Sequence, residues 1–232
     1  LNSAGDESSR DRIRRFQKSC LARRHELLPL LRAHSEKRRL SFPGDLEGIL
    51  ERTVIEFPYS FWSGNRKSDD LPPPDAPAER LFEFLNTVRP VSGLSDAQLR
   101  SNAPLYYQQA TELGSYGYPT SHLTGLLRVV QKPDFSFYVP PDAPKGVFDK
   151  EIMPRILDYL QREGNNIIYL YGEYDIWTAG AVALTGRTNA LRLIVKGKGH
   201  HFAIQDLPAE EQEQVFAALE HWLQMEIGGN TK

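Results

Sequence analysis

The chain has 232 residues, 40% of them apolar and 25% charged, with a formal net charge of −2. That is ordinary globular composition, long enough for one large domain or two small ones. The charge balance gives no electrostatic ground for nucleic acid or an anionic membrane as partner. No apolar run reaches a membrane span, and the single cysteine, Cys20, excludes an intrachain disulfide and a cysteine-based zinc site.

No signal peptide is visible; Leu1-Asn-Ser-Ala-Gly-Asp-Glu-Ser-Ser9 reads as a loop that opens without Met, so the chain is expected to be a fragment or a processed product. Ile13, Phe16, Cys20, Leu21, Leu27, Leu28 and Leu31 recur at helical spacing and predict one long helix over 8–34, kinked by Pro29. The same pattern places Cys20 in a buried position. The basic runs Arg10 to Arg15, Arg23-Arg24 and Lys37 to Arg39 read as solvated helix faces. Leu46, Ile49, Leu50, Val54 and Phe57 predict a helix over 44–57, ended by Pro58. Residues 64–77 are a polar, Pro-rich loop, and helices follow at 77–88, 95–101 and 104–113. Residues 131–146 are Pro-rich and irregular, with a short extended piece at Phe135, Phe137 and Tyr138.

Near residue 147 the pattern changes. An amphipathic helix over 147–162 precedes strand 167–171, helix 178–185, strand 191–195 and a last helix over 208–226. Residues 1–146 therefore read as a mostly helical domain and 147–232 as an alternating α/β domain. Both strands read as buried on two faces, which suits a parallel sheet covered by helices. Two such strands fall short of an independently stable sheet. The remaining strands are expected from a missing N-terminal part or from another chain.

Each strand runs into a loop with one reactive residue. Ile167-Ile-Tyr-Leu-Tyr-Gly-Glu-Tyr-Asp175 ends on a carboxylate, and Leu191-Arg-Leu-Ile-Val-Lys-Gly-Lys-Gly-His200 on an imidazole. Loops at the carboxyl ends of parallel strands are where open α/β sheets carry their sites. A carboxylate followed by a histidine fits the last two members of a Ser–Asp–His triad in α/β-hydrolase order. In that reading Asp175 orients the ring, and the glycines before His200 turn the chain so that the ring faces back to the sheet edge. Two plainer readings stand beside it: Asp175 as the N-cap of the following helix, and His200 as a surface histidine. His201 competes with His200 for the role of base. No nucleophile elbow of the form Gly-x-Ser-x-Gly is present. Its nearest approach, Leu113-Gly-Ser115-Tyr-Gly117, lacks a preceding strand and an immediately following helix.

Further segments carry a family resemblance: Arg12-Ile-Arg-Arg-Phe-Gln17 with Arg23-Arg-His-Glu-Leu-Leu28, Ile55-Glu-Phe-Pro-Tyr-Ser-Phe-Trp62, Tyr106-Tyr-Gln-Gln-Ala-Thr-Glu-Leu-Gly114, and Tyr171-Gly-Glu-Tyr-Asp-Ile-Trp-Thr-Ala-Gly180 through His200. The chain resembles the secreted bacterial prolyl tri-/tetrapeptidyl aminopeptidases, serine peptidases distantly related to prolylcarboxypeptidase. The resemblance implies the C-terminal part of an α/β-hydrolase, its last parallel strands and helices, preceded by a helical cap domain. It implies Asp175 and His200 as catalytic residues, with the Ser in a missing N-terminal part, so that the isolated chain is inactive. The family pattern often has Pro after the Asp, where this chain has Ile176. The implied substrate is a peptide with a free N-terminus and Pro before the cut, and the implied location is secreted or periplasmic. Glu112 and then Glu56 are the candidates for the α-amine; Phe61, Trp62, Tyr106, Tyr107, Tyr118 and Trp177 are the candidates for an apolar pocket. Neither a cofactor nor a metal is implied. The competing readings are an α/β-hydrolase esterase and a non-catalytic helical interaction protein.

Overall fold

A computed structural model describes residues 4–131 and 133–227. Residues 1–3 of the expected first loop and Lys132 lie outside the described residues. The chain divides into two compact units: residues 1–61 with 66–152, and residues 62–65 with 153–232. The sequence-derived boundary at 146/147 falls inside an irregular stretch of the first unit.

The first unit is helical. Helix α1 (Glu7–Ala22) starts at Asp6, whose side chain accepts the Ser9 N–H at 2.6 Å. The single helix expected over 8–34 is two helices: the chain breaks at Arg23 and resumes as α2 (Arg24–Arg38). No glycine or proline marks the break. Arg23 leaves helical geometry while its guanidinium donates to the Ala76 carbonyl at 2.6 Å and to Glu26 at 2.8 Å. Pro29, where a kink is expected, lies inside α2, six residues after the break at Arg23.

Helix α3 (Leu46–Ser63) corrects a second expectation, because it runs on through Pro58. A helical proline deprives the carbonyl four residues back of its partner. Here that carbonyl belongs to Val54, and the buried Gln17 side chain supplies the missing donor at 2.7 Å. The freed acceptor is satisfied, so the helix continues. Helices α4 (Ala78–Val88), α5 (Asp96–Ser101) and α6 (Ala103–Gln108) follow, the last running into a π-turn over Gln109–Leu113. Phe16, Leu27, Leu31, Leu50, Phe57, Phe61, Leu81 and Leu85 form the core, with the rings of Phe16 and Phe57 4.7 Å apart. Cys20 lies there too, and burial pushes its thiol up to about 12.

The extended piece expected at Phe135 to Tyr138 is instead a 3-10 turn. Asp134 accepts the Ser136 N–H at 2.9 Å, and the Phe135 and Tyr138 rings stack at 5.2 Å, as the three-residue repeat of such a turn allows.

The second unit holds most of α7 (Ile152–Arg162), strands β1 (Ile168–Gly172) and β2 (Leu191–Val195), and α8 (Ala209–Leu223). Helix α7 begins five residues later than expected. The Asp149 N–H is committed to the Thr111 carbonyl at 2.7 Å, and the Asp149 side chain receives the Glu151 N–H at 2.9 Å. The strands pair in parallel, Ile168 opposite Leu191 through Gly172 opposite Val195. On one face, Ile168, Leu170, Leu191 and Leu193 pack with Val195, Leu207, Val215 and Leu219. These are the only two strands among the described residues.

The helix expected over 178–185 does not form; a 3-10 turn over Ile176–Gly180 leads into irregular chain. The backbone groups a helix would use are taken by side chains. The Val182 N–H donates to the Tyr171 hydroxyl at 3.1 Å, Arg192 donates to the Val182 carbonyl at 3.0 Å, and Gln161 donates to the Ala183 carbonyl at 3.0 Å. Paired in this way, the segment gains nothing from a helical ladder.

Candidate active site

The two reactive loops leave adjacent parallel strands at the same end. They are laced together by backbone. The Glu173 N–H donates to the Val195 carbonyl at 3.0 Å and the Tyr174 N–H to the Lys198 carbonyl at 2.8 Å, while the Glu173 carboxylate accepts the Gly197 N–H at 2.8 Å. Glycine is required at the crossing. A Cβ on Gly172 would stand 2.0 Å from the Gly199 carbonyl oxygen, and one on Gly199 would stand 2.5 Å from that of Ser63.

This lacing brings Asp175 to His200. Oδ2 of Asp175 lies 2.7 Å from Nδ1 of His200, while Oδ1 accepts the Trp177 N–H at 3.2 Å. Asp175 thus caps the turn and orients the ring at once, so its two readings from sequence are compatible. The Asp175 side chain is 9% exposed and that of His200 49%. With the carboxylate on Nδ1, the neutral ring carries its proton there and leaves Nε2 as the basic nitrogen. His201 stands beside His200 with ring centroids 5.1 Å apart and its ring turned by 80°; the contact with the Asp175 carboxylate is His200's. The arrangement can take a proton at Nε2 and stabilise the resulting imidazolium.

Sequence reasoning missed the part played by residues 62–65. Ser63 accepts the His200 N–H at 2.9 Å, Asn65 bonds to Gly199 and His201, and the Trp62 ring lies 5.5 Å from that of Tyr174. The end of α3 and the turn after it, 135 to 138 residues before His200, carry no local sequence signal of this; in the structure Asn65 is left-handed (φ 56°). Trp177 is 47% exposed on the turn after Asp175.

The other candidates lie in the first unit. Glu56 is buried, and burial pushes its carboxyl above the ordinary carboxylate range against the pull of Arg89. Arg89 donates to it at 2.7 and 2.9 Å, and the Tyr138 hydroxyl donates to it as well. Tyr106 packs against Tyr138 and Phe135, with centroids 5.1 and 5.8 Å away. Glu112 sits on the π-turn and accepts from Gln108 at 3.2 Å. Tyr107 lies on the last turn of α6, its carbonyl accepting the Thr111 hydroxyl at 2.9 Å. Phe61 is a core residue, and the Tyr118 ring lies 5.6 Å from that of Tyr59. Ser115 follows the π-turn in irregular chain, without a strand before it. Among the described residues no group of three or more His, Cys, Asp and Glu is placed to hold a metal ion, and no helix is long and apolar enough to cross a membrane.

A family model described as PS-10 peptidase S37 matches residues 1–227. No curated protein and no solved structure matches the chain.

Proposed function

The chain belongs to the PS-10 peptidase S37 family, whose members are serine peptidases, and on that premise we propose that Asp175 and His200 are the carboxylate and base of its catalytic triad. The observation that carries this is the 2.7 Å contact between Asp175 Oδ2 and His200 Nδ1 at the end of two parallel strands. In this reading His200 Nε2 takes the proton of a serine hydroxyl as its oxygen attacks the scissile carbonyl. It then returns that proton to the leaving amine, and water hydrolyses the acyl-enzyme by the same path. Asp175 holds the tautomer and stabilises the imidazolium.

The serine is assigned to sequence beyond these 232 residues, together with the backbone N–H groups that receive the oxyanion. Two observations support this. Ser115 lacks the strand before it that an elbow requires. The second unit also holds only two strands among the described residues, fewer than a free-standing sheet needs. An α/β-hydrolase core completed by further strands would supply both.

The substrate is proposed to be a peptide with a free N-terminus, cut after a proline to release tri- or tetrapeptides. For the α-amine we favour Glu112, which accepts from the Gln108 amide, over Glu56, whose carboxylate already accepts from Arg89 and Tyr138. The test is hydrolysis by the natural protein of tripeptide anilides ending in Pro, with free and with acetylated N-termini, beside short acyl esters. Cleavage of the free peptide with loss on acetylation is the expected result. Turnover of the esters alone would replace the peptidase reading with an esterase.

A further inference from the structure

The imidazole of a triad has to be held on two sides, by the carboxylate at its ring and by the backbone that carries it. Asp175 provides the first. The backbone of His200 lies in a loop that contains Gly197, in left-handed conformation at φ 71°, and Gly199, and whose residues 201–203 are irregular. Such a segment has little intrinsic rigidity. What fixes it is the tetrapeptide Trp62–Asn65, which belongs to the same compact unit.

The side-chain amide of Asn65 spans the residues on either side of His200. Its Oδ1 accepts the Gly199 N–H, and its Nδ2 donates to the His201 carbonyl at 3.2 Å. Between these two bonds the His200 N–H donates to the Ser63 carbonyl at 2.9 Å. Three consecutive residues are thus tied to one short segment. The asparagine amide carries its acceptor and its donors on two separate atoms of one short side chain, so it can bond in both directions at once. Asparagine also tolerates the left-handed backbone that residue 65 adopts at φ 56°. The same segment reaches the other loop, with Trp62 against Tyr174, next to Asp175.

We infer that Asn65 is a positioning residue for the reaction: by clamping Gly199 and His201 it fixes the His200 main chain so that Nδ1 stays on Asp175 and Nε2 stays where it can reach the nucleophile. The inference rests on the triad reading above. Asn65 touches no reacting atom; its effect passes through His200.

The test compares Asn65→Gly and Asn65→Asp in the natural protein. Glycine keeps the left-handed backbone and deletes the amide; aspartate keeps the acceptor for Gly199 and loses the donor to His201. Two readouts are taken: kcat and KM on a proline-ending tripeptide anilide, and the low-field proton resonance of the His200–Asp175 hydrogen bond. For Asn65→Gly the expected result is a kcat lower by about 10- to 100-fold with KM within about twofold, the scale set by small displacements of a catalytic group. The low-field resonance should broaden or vanish, and Asn65→Asp should recover part of both. Unchanged kcat and resonance in Asn65→Gly would overturn the inference. So would a loss of activity that only follows a loss of thermal stability, with the resonance intact in the folded protein. If the natural protein cleaves no peptide but its resonance still depends on Asn65, the clamp stands and the peptidase reading fails.

Discussion

Glu51 and Glu56 lie five positions apart on α3, both buried, and their environments push them in opposite directions. Burial alone would raise the Glu51 carboxyl. It is instead lowered, because its oxygens accept the N–H groups of Val130, Arg128 and Val129 and the guanidinium of Arg24. Glu56 is raised, since burial outweighs Arg89. Glu51 therefore contributes stability that is present above the unfolded carboxylate range and is lost as pH falls through its lowered folded value. Glu56 does the reverse: its contribution is greatest below that range and declines as pH rises through its raised folded value. Hydrogen-exchange protection of α3 amides in Glu51→Gln and Glu56→Gln reads both. From about pH 6 down to about pH 3, across the unfolded carboxylate range, the gap between wild type and Glu51→Gln should shrink, and wild type should gain relative to Glu56→Gln. Glu51→Ala, which leaves three backbone donors without their acceptor and takes from Arg24 one of its two carboxylate partners, should cost about 3–5 kcal/mol at neutral pH. At this scale the sequence was legible only where partners are announced by local pattern. Asp175 and His200 each follow a strand and a glycine, so their meeting could be read. Arg89 and Tyr138 come to Glu56 from 33 and 82 positions away with no spacing to signal them.

At the scale of elements, the site depends on two loops that touch backbone to backbone. Gly172 and Gly199 permit this, whereas Gly180 has nothing within 4 Å of where a Cβ would be. Gly172→Ala should displace the His200 loop and lower kcat by on the order of 10²-fold, and Gly180→Ala should leave it unchanged; steady-state kinetics on a peptide anilide distinguishes them. Equal kcat in both variants would mean that the contact does not hold the site. The two strands and most helices could be read from hydrophobic period, β2 with both its ends, but the breaks and ends of the longer helices could not. Pro58 failed to end α3 because Gln17, 37 positions before the Val54 carbonyl it serves, supplies the lost donor. The expected helix after Asp175 failed because Tyr171, Arg192 and Gln161 occupy its backbone groups. In each case a distant side chain overruled a local rule. The break at Arg23, by contrast, has no glycine or proline to betray it.

At the scale of the whole chain, the second unit carries a carboxylate–imidazole pair on a sheet of two strands. Helix α7 leaves Met153, Ile156, Leu157 and Tyr159 exposed, and Ile194 is exposed on β2. On the proposed reading, further strands and the serine come from outside these residues; the sequence likewise shows only two strand-like segments. The proposed role of His200 is to activate a serine outside residues 1–232. Its most direct test is covalent labelling of the natural protein with a fluorophosphonate, with the modified residue mapped, in wild type and in His200→Ala. The expected result is an adduct on a serine outside residues 1–232. His200→Ala should slow labelling by about 10²- to 10⁴-fold, the usual contribution of a general base. Labelling of Ser115, or an undiminished rate in His200→Ala, would contradict that role.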